Sequence, residues 1–383
     1  MHDYIIPFGP QHPSLLESTC LRVSLKGNYV QSARLRPGYM HRGMEKLLEG
    51  KGLESAMYAV EHICGICTYA HSGCYVLAVE KALKDKVPPR ANYIRTMLAE
   101  LERINSHLMW AGLMMHEIGF ETVFMFLWRE RELIVDVFER LTGGRVHHNA
   151  NKLLGVRYDI DNKDAKFILE TIDKIEKKVL GYIRLIEKNK VTRARFRDVG
   201  VISKADARRY CLVGPIARAS GVNNDVRKLD PYMAYPDVDF DVVVDDGCDA
   251  YARTLVRLKE IIQSARIVKQ LLKKMPSGPV GKQGPLTIPQ AEVYARVEAP
   301  RGEDMHFYKI KDSRIERAKI RTPTLAYIQI LEPVLKGLEI GDIPVVIGSL
   351  DPCFSCMERI LVEKDSKIRM LNEKQFRRMY ARV

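Results

Sequence analysis

The sequence has no apolar run long enough to span a membrane. Its longest such run lies around residues 108–115, and a transmembrane helix needs roughly 20 residues. The N-terminus also lacks a basic region followed by an apolar stretch, which is how a secretory signal begins. These two absences predict a chain that is neither exported through such a signal nor integral to a membrane.

A disulfide framework is also missing. Eight cysteines in 383 residues are few, whereas disulfide frameworks are typical of short secreted chains. Four of the cysteines are scattered singly: Cys20, Cys74, Cys211 and Cys248. Because lone cysteines are usually small buried apolar residues, the composition favours a reducing cytosol.

Basic residues are abundant but form no stripe interleaved with aromatic residues. The formal net charge is +13, yet the lysines and arginines are spread through amphipathic segments such as residues 174–190. That pattern is typical of solvated helix faces, whereas nucleic-acid binding concentrates positive charge on one surface. We therefore expect no nucleic-acid partner. A basic surface also suits anionic lipid headgroups or an acidic electron carrier.

Two close cysteine pairs stand out among the residues that are present, CGIC at residues 64–67 and CFSC at residues 353–356. A gap of two residues lets both sulfurs turn toward one point, and thiolates select zinc, copper, nickel or iron–sulfur centres over hard cations. A structural zinc site is the common interpretation of such pairs. Residues 68–352 separate them here, however, and a ligand set gathered from both ends of a chain favours an active site.

Hydrophobic periodicity predicts an N-terminal segment, residues 1–60, and a helical bundle, residues 61–275. In the first segment, apolar residues alternate over residues 19–35 as in a β-hairpin, and a helical stretch runs over residues 40–58. The first cysteine pair lies at a helix break. Apolar residues at helical spacing then predict long bundle helices at residues 93–116, 122–141, 168–183 and 250–274.

A loop rich in proline and glycine opens the C-terminal region, residues 276–359. Alternation predicts two strands there, at residues 293–297 and 306–310, which form a second hairpin. A last helix is predicted at residues 325–338, before the second cysteine pair. The remaining residues, 360–383, are a tail with seven basic and three acidic side chains.

The two cysteine motifs resemble those of the large, catalytic subunit of nickel–iron hydrogenases. Further motifs are similar to the related subunit of respiratory complex I, namely GPQHP at residues 9–13, HRGMEK at 41–46, TGGRVHHN at 142–149 and RASG at 218–221. The combination is most similar to the energy-converting, membrane-associated branch of these hydrogenases. The resemblance implies a mainly α fold with small β elements, in which a long-helix bundle brings both chain ends to one buried site.

In that family a nickel–iron centre, with carbon monoxide and cyanide on the iron, cleaves and forms dihydrogen. The first cysteine of each pair binds nickel terminally and the second bridges the two metals. The resemblance therefore gives the terminal role to Cys64 and Cys353, and the bridging role to Cys67 and Cys356. The reaction is heterolytic, so it also needs a base within a few ångströms of the metals.

EAPRG at residues 298–302 resembles the family segment that places a guanidinium over the metals. The resemblance implies that Arg301 is catalytic and that Asp351 holds it in place. It also implies that Pro300 lies against the cofactor and that the hydroxyl of Thr324 donates to a cyanide. An arginine in this sequence context is otherwise an ordinary surface ion pair, but the two cysteine pairs favour the functional interpretation.

Two glutamates acquire roles from the same resemblance. Glu17 matches the carboxylate that carries protons from a cysteine sulfur toward solvent, although a single glutamate before a strand is more often a solvated residue. Glu45 matches a carboxylate that binds a magnesium or iron ion near the chain end. The chain departs from the family pattern at Arg359, where classical members have a histidine ligand, and at His62, where many relatives have arginine.

The resemblance also implies a set of partners. The chain lacks spare cysteines in an iron–sulfur pattern, so electrons would leave through a small partner subunit that carries an iron–sulfur cluster. Membrane subunits that translocate protons or sodium ions, and ferredoxin as electron carrier, complete the expected complex. The chain would then lie peripherally on the cytoplasmic side of the cell membrane. Two alternatives are a complex I-like or sulfur-reducing redox subunit without hydrogenase activity, and a structural zinc-binding scaffold.

The C-terminal tail is expected to be removed. In many family members a protease cuts three residues after the final cysteine, which is between Arg359 and Ile360 here. A basic tail is poorly placed beside a buried site, because desolvating uncompensated charge is costly. If the tail is kept, we expect it to dock as an amphipathic helix through Ile368, Leu371 and Met379.

Overall fold

The computed structural model describes residues 3–15, 17–83, 85–282, 284, 286–364, 367–371 and 378. The chain begins with an antiparallel sheet of three strands, β1 (Asp3–Phe8), β2 (Cys20–Lys26) and β3 (Tyr29–Arg36). Strands β2 and β3 are the predicted hairpin, and its alternating apolar residues, such as Leu21 and Val23, are buried. Strand β1 pairs with β2 and was not predicted.

The predicted helical stretch after this sheet is two short helices, α1 (Met44–Leu48) and α2 (Leu53–Glu61). Gly50 interrupts them with φ of 83°, a left-handed conformation that glycine adopts without strain. Helix α3 (Thr68–Glu80) follows. The loop between α2 and α3 therefore carries the first cysteine pair, at the predicted helix break.

A series of helices and one short β-ribbon forms the middle of the chain. In order they are α4 (Pro89–Glu117), α5 (Glu121–Thr142), β4 (Asn151–Lys152), β5 (Gly155–Val156), α6 (Asn162–Lys188), α7 (Lys190–Phe196), α8 (Lys204–Arg209), α9 (Gly214–Arg218), α10 (Val226–Leu229), a 3-10 turn (Tyr235–Asp237) and α11 (Ala250–Lys274). The long helices α4, α5, α6 and α11 are the predicted bundle. Helix α4 packs against both α5 and α11, and its apolar stripe, which includes Leu101 and Ile104, is fully buried.

A second antiparallel sheet follows the bundle, formed by β6 (Gln290–Ala299), β7 (Gly302–Lys311) and β8 (Arg314–Arg321). Strands β6 and β7 are the predicted hairpin, and Pro300 and Arg301 form its turn. Strand β8 was missed. The sheet packs against α3, which places the β6–β7 turn close to the first cysteine pair.

The helix predicted at residues 325–338 is wrong as a single element. Short elements take its place: α12 (Pro323–Tyr327), a 3-10 turn (Ile328–Ile330), α13 (Leu331–Leu335), a second 3-10 turn (Ile340–Asp342) and α14 (Ile343–Leu350). Pro333 has no backbone N–H to donate, and Gly337 adopts φ of 85°, a conformation that ends helices. Helix α14 is the one that leads into the second cysteine pair.

The described part of the tail is a β-ribbon of strands β9 (Ile360–Lys364) and β10 (Lys367–Leu371). The predicted amphipathic helix is therefore wrong at Ile368 and Leu371, and Met379 lies outside the described residues. Apolar residues alternate in Lys367–Leu371 with the period of two that suits a strand. Cleavage after Arg359 stays a prediction.

The predicted fold class is confirmed, since 51% of the chain is helical and its sheets are small. Within the described ranges, no helix combines the length and the apolar character that crossing a membrane requires.

Buried ion pairs tie the bundle to the second sheet. Arg218 on α9 donates to Glu260 on α11 and to Glu298 on β6, at 2.8 and 2.7 Å. Arg227 pairs with Asp225 at 2.6 Å, and all five of these side chains are buried. Breaking one such pair costs about 3–5 kcal/mol, because it leaves a buried charge uncompensated. The RASG motif and the residues after it therefore fix the position of β6, and with it the β6–β7 turn.

Candidate metal centre

Both cysteine pairs lie in loops at helix ends, and all four thiols are buried. Cys64 follows the last turn of α2, and Cys67 directly precedes α3. Cys353 and Cys356 follow α14, which ends at Leu350 and is followed by Asp351 as its C-cap. Asp351 has φ of 55°, a left-handed conformation that Asp tolerates better than most residues. It turns the chain so that the second loop faces the first.

Three of the sulfurs form one cluster. The Sγ atom of Cys353 lies 3.5 Å from that of Cys64 and 3.0 Å from that of Cys356. All are free thiols, since a disulfide needs sulfurs about 2.05 Å apart. The contact with the Cys353 thiol, the contact with Cys64 and burial raise the pKa of Cys356 well above its usual value. Thiols crowded in this way lose protons readily only beside a cation, which fits a shared metal.

The backbone of the first loop orients Cys64. Its Sγ accepts hydrogen bonds from the backbone N–H groups of Ile66 and Cys67, both at 3.2 Å. Cys67 is not part of the three-sulfur cluster, and its Sγ instead lies 3.4 Å from the guanidinium of Arg301. The four predicted cysteines are thus in one buried region, with Cys67 on the side toward Arg301.

Arg301 and Asp351 form a buried pair beside these sulfurs. The guanidinium donates to the Oδ1 atom of Asp351 at 2.6 Å and to its backbone carbonyl at 2.9 Å. Burial opposes the charge of Arg301, but the Asp351 carboxylate and the neighbouring thiols outweigh it and raise its pKa. The other carboxylate oxygen, Oδ2, has no hydrogen-bond partner among the described residues. Arg301 is therefore a fixed cation beside the thiols, and its catalytic role stays a prediction.

Pro300 and Thr324 were expected against the cofactor. Pro300 directly precedes Arg301 in the β6–β7 turn. The Oγ1 atom of Thr324 accepts a hydrogen bond from the backbone N–H of Cys353 at 2.9 Å and lies 3.2 Å from the hydroxyl of Tyr327. Thr324 therefore holds the second cysteine loop, and a role toward a cyanide stays a prediction.

Glu17 lies against the second cysteine loop. Its carboxylate accepts hydrogen bonds from the backbone N–H and the hydroxyl of Ser355, at 2.9 and 2.5 Å. The thiol of Cys353 is 3.4 Å from the same carboxylate. Burial and then the charge of Cys353 raise the pKa of Glu17 to about 7. A carboxyl with that pKa gains and loses a proton readily near neutral pH.

Glu45 lies near the end of the second cysteine loop, but basic side chains contact its carboxylate. Oε1 is 3.3 Å from the guanidinium of Arg359, and Oε2 is 3.6 Å from the ammonium of Lys319. These positive charges oppose a divalent cation at the same carboxylate. A magnesium or iron ion at Glu45 stays a prediction that these contacts do not favour.

Arg42 is a residue of the site that sequence reasoning missed. Its guanidinium donates to the backbone carbonyls of His62 at 3.0 Å and of Ile63 in the first loop, and to that of Ser355 in the second loop at 3.2 Å. One side chain thus ties both cysteine loops together. The only signal in the sequence was the HRGMEK motif. That motif does not indicate which backbone groups the arginine contacts.

Glu358 is a second missed residue, two positions after the last cysteine. Its carboxylate accepts hydrogen bonds from the backbone N–H groups of Arg42 and Met44, at 3.4 and 3.1 Å, and lies 3.1 Å from His41. It therefore satisfies the first backbone N–H of α1, which has no partner within the helix, and fixes the segment that carries Arg42 to the second loop.

Comparison with known families matches residues 42–359 of the chain. Residues 117–287 and 281–359 match the family of the respiratory-chain NADH dehydrogenase 49 Kd subunit. Residues 42–116 match the nickel-dependent hydrogenase family. The two matches together include the first cysteine pair, the β6–β7 turn and the second pair.

Individual relatives carry names from both groups. The carbon monoxide-induced hydrogenase of Rhodospirillum rubrum is 36% identical over 94% of this chain and 100% of that protein. A subunit of the NADH-quinone oxidoreductase of Sinorhizobium medicae is 35% identical over 93% of this chain and 96% of that protein. Among solved structures, a chain of the membrane-bound sulfane sulfur reductase, an archaeal respiratory membrane complex, superimposes with a TM-score of 0.89. It is 33% identical, over 93% of this chain and 98% of that chain.

Replacing Arg42 by lysine should loosen both cysteine loops. A lysine ammonium lacks the planar fork that reaches several carbonyls at once, and a hydrogen bond from a charged group is worth about 1.5–3 kcal/mol. We expect amide hydrogen exchange of residues 62–67 and 353–358 to accelerate by at least about tenfold. Arg34→Lys, at an exposed position on β3, is the matched control. Unchanged exchange in Arg42→Lys would contradict the role of Arg42 as a clamp.

Proposed function

Because this chain belongs to the family of the respiratory-chain NADH dehydrogenase 49 Kd subunit and the nickel-dependent hydrogenases, we propose that it is the catalytic subunit of a nickel–iron hydrogenase. The proposed reaction is the reversible conversion of dihydrogen into two protons and two electrons. The main support is the meeting of four buried thiols from both chain ends beside a buried arginine. Members of this family are oxidoreductases, and the proposal adds the substrate.

The donor set fits a nickel–iron group. Cys64, Cys67, Cys353 and Cys356 would hold the two metals, since thiolates are soft ligands that suit nickel and iron. When bound, a nickel–iron group with carbon monoxide and cyanide on the iron accepts the electron pair of the H–H bond. The unpartnered Oδ2 atom of Asp351 is consistent with a polar group beside the sulfurs.

Glu17 is the proposed proton carrier. Its carboxylate lies 3.4 Å from the thiol of Cys353, within reach for taking a proton from that sulfur. Glu17 also lines a surface groove that it shares with residues 10–13, 15 and 18, and an apolar cavity that reaches Trp110 and Asp351. A proton on Glu17 can therefore pass from the buried loop to the surface without crossing the bundle.

Arg301 supplies a fixed positive charge beside the thiols. The pair with Asp351 holds the guanidinium in one orientation, and its other amino group lies 3.4 Å from Cys67 and from the hydroxyl of Ser106. Hydrogen-bond donors that are fixed before reaction stabilise developing negative charge most effectively. We propose that Arg301 stabilises negative charge that develops on the cofactor next to Cys67.

Partners follow from the proposed reaction. We propose that electrons pass to a small subunit with an iron–sulfur cluster and then to ferredoxin, and that membrane subunits translocate protons or sodium ions. The relatives are subunits of membrane-bound respiratory complexes, which supports peripheral attachment to membrane subunits. The cytoplasmic side of the cell membrane is part of the proposal.

A sulfur-reducing or complex I-like redox subunit is the second candidate. The solved sulfane sulfur reductase chain matches nearly this whole fold, which favours that candidate over an unrelated scaffold. Metal analysis of the purified complex separates the possibilities. Nickel with iron, and infrared bands from iron-bound carbon monoxide and cyanide, support the hydrogenase; zinc alone supports a structural site; and no metal at the cysteines supports the complex I-like subunit.

Cys67→Ser should abolish hydrogen turnover, because it replaces a soft donor by a hard one. The measurement is hydrogen evolution together with nickel and iron content. Cys20→Ser is the matched control, since Cys20 is a buried thiol outside both pairs and should keep full activity. Full activity in Cys67→Ser would rule out the bridging role.

Glu17→Gln should stop hydrogen–deuterium exchange with solvent while leaving the metal content unchanged. Glutamine keeps the shape of the side chain and its contact with Ser355, but it cannot accept a proton. Glu117→Gln is the matched control, because Glu117 lines the same apolar cavity. Normal exchange in Glu17→Gln would mean that protons leave the site by another route.

We further propose that the tail is removed after Arg359 once the metals are in place. Ile360 begins β9 and contacts the turn at Gly38, so release of the tail would uncover that turn. Intact mass of the nickel-loaded protein should correspond to a chain that ends at Arg359. A fully active chain that ends at Val383 would refute this processing.

A further inference from the structure

A second group of metal-ligating side chains lies between α3 and the second sheet. His71 is on α3, and Asp304 and His306 are on β7. Because alternate residues of a strand share a face, both β7 side chains point the same way, toward α3. All three side chains are buried, and none of them belongs to the cysteine cluster.

The three potential ligand atoms form a nearly equilateral triangle. The Nδ1 atom of His71 lies 2.9 Å from the Oδ2 atom of Asp304, and the Nε2 atom of His306 lies 3.1 Å from it. The two nitrogens are themselves 3.1 Å apart. Ligands that bind one metal at about 2.1 Å and at right angles are about 3.0 Å apart. The triangle therefore has the dimensions of one face of a coordination octahedron.

Only imidazoles meet the buried carboxylate. Within the described residues, the Oδ1 atom of Asp304 has no hydrogen-bond partner, and Oδ2 meets the two histidine nitrogens. No lysine or arginine of the described chain lies within ion-pair distance of Asp304; its two ion-pair contacts are His71 and His306. A buried carboxylate needs a positive charge close by, which a protonated imidazole or a metal ion inside the triangle would supply.

The surroundings hold His306 in the orientation that a ligand requires. Its other ring nitrogen, Nδ1, lies 2.7 Å from the hydroxyl of the buried Tyr308. Histidine ligands are usually held by such a hydrogen bond on the nitrogen that faces away from the metal. The bond directs Nε2 of His306 into the triangle.

We propose that His71, Asp304 and His306 bind one divalent first-row transition-metal ion, such as iron(II) or zinc. Imidazole nitrogens with one carboxylate suit these ions. A divalent charge would neutralise Asp304 while both histidines remain neutral, as metal binding requires. The site is separate from the metals proposed at the cysteines, and it does not depend on hydrogenase activity.

The test compares the metal content of the purified complex from the wild type and from Asp304→Asn. Asparagine keeps the shape of the side chain but loses its charge. Elemental analysis should show a loss of one equivalent of iron, zinc, manganese or cobalt per chain, with the nickel content unchanged. The control is Asp312→Asn, an exposed position in the β7–β8 turn, which should keep the wild-type content.

Equal metal content in all three proteins would overturn the site and leave an ion pair between Asp304 and the histidines. Because Asp304→Asn removes a buried charge and can fail to fold, wild-type crystals provide a second measurement. Anomalous diffraction at the iron and zinc absorption edges should show a peak inside the triangle of ligand atoms. A triangle without a peak at these edges, or at those of manganese and cobalt, would also overturn the proposal.

Discussion

Two loops from opposite ends of the chain must be held with their sulfurs in contact, and two arginines do this. Arg42 joins the loops through their carbonyls, and Arg301 joins the β6–β7 turn to the end of α14. Guanidinium groups suit this task because one rigid fork reaches several acceptors. The cost of burying the Arg301 cation is offset only while its acceptors stay in place, so the β6–β7 turn and the second cysteine loop depend on one another.

Arg218 also joins several acceptors on different elements, in this case within the core. Its partners Glu260 and Glu298 belong to α11 and β6, two elements that this one guanidinium joins. Ion pairs specify register more sharply than hydrophobic contact, which is non-directional. The position of the β6–β7 turn is thus fixed by these ion pairs as well as by packing.

Sequence periodicity predicted the elements whose own pattern determines them. The hairpin of β2 and β3 was found because one of its faces is buried, and the long helix α4 was found because its apolar residues keep a helical period, although its centre is buried on all sides. The helix at residues 325–338 failed because its apolar residues share a helical period while Pro333 and Gly337 break the backbone. Strand β8 was missed since its basic residues hide an alternation in which only Ile315, Ala318 and Ile320 are buried.

Some residues of the site could likewise be predicted from the sequence, and others could not. Cysteines, Arg301 and Glu17 carry recognisable chemistry in short motifs, so their positions could be named in advance. Arg42 acts on backbone groups that are distant in sequence, and no local pattern records such contacts. The grouping of His71 with Asp304 and His306 likewise depends on how α3 lies across β7, which is tertiary information.

The contacts of Arg42 are all with main-chain oxygens. Since every residue has such an oxygen, these contacts of Arg42 do not depend on which side chains the two loops display. Cysteines could be exchanged for other residues, one at a time, while the loops kept their separation. When main-chain contacts hold the loops, the fold does not depend on the residues that bind a metal. One fold can then serve proteins that hold a metal at this place and proteins that do not.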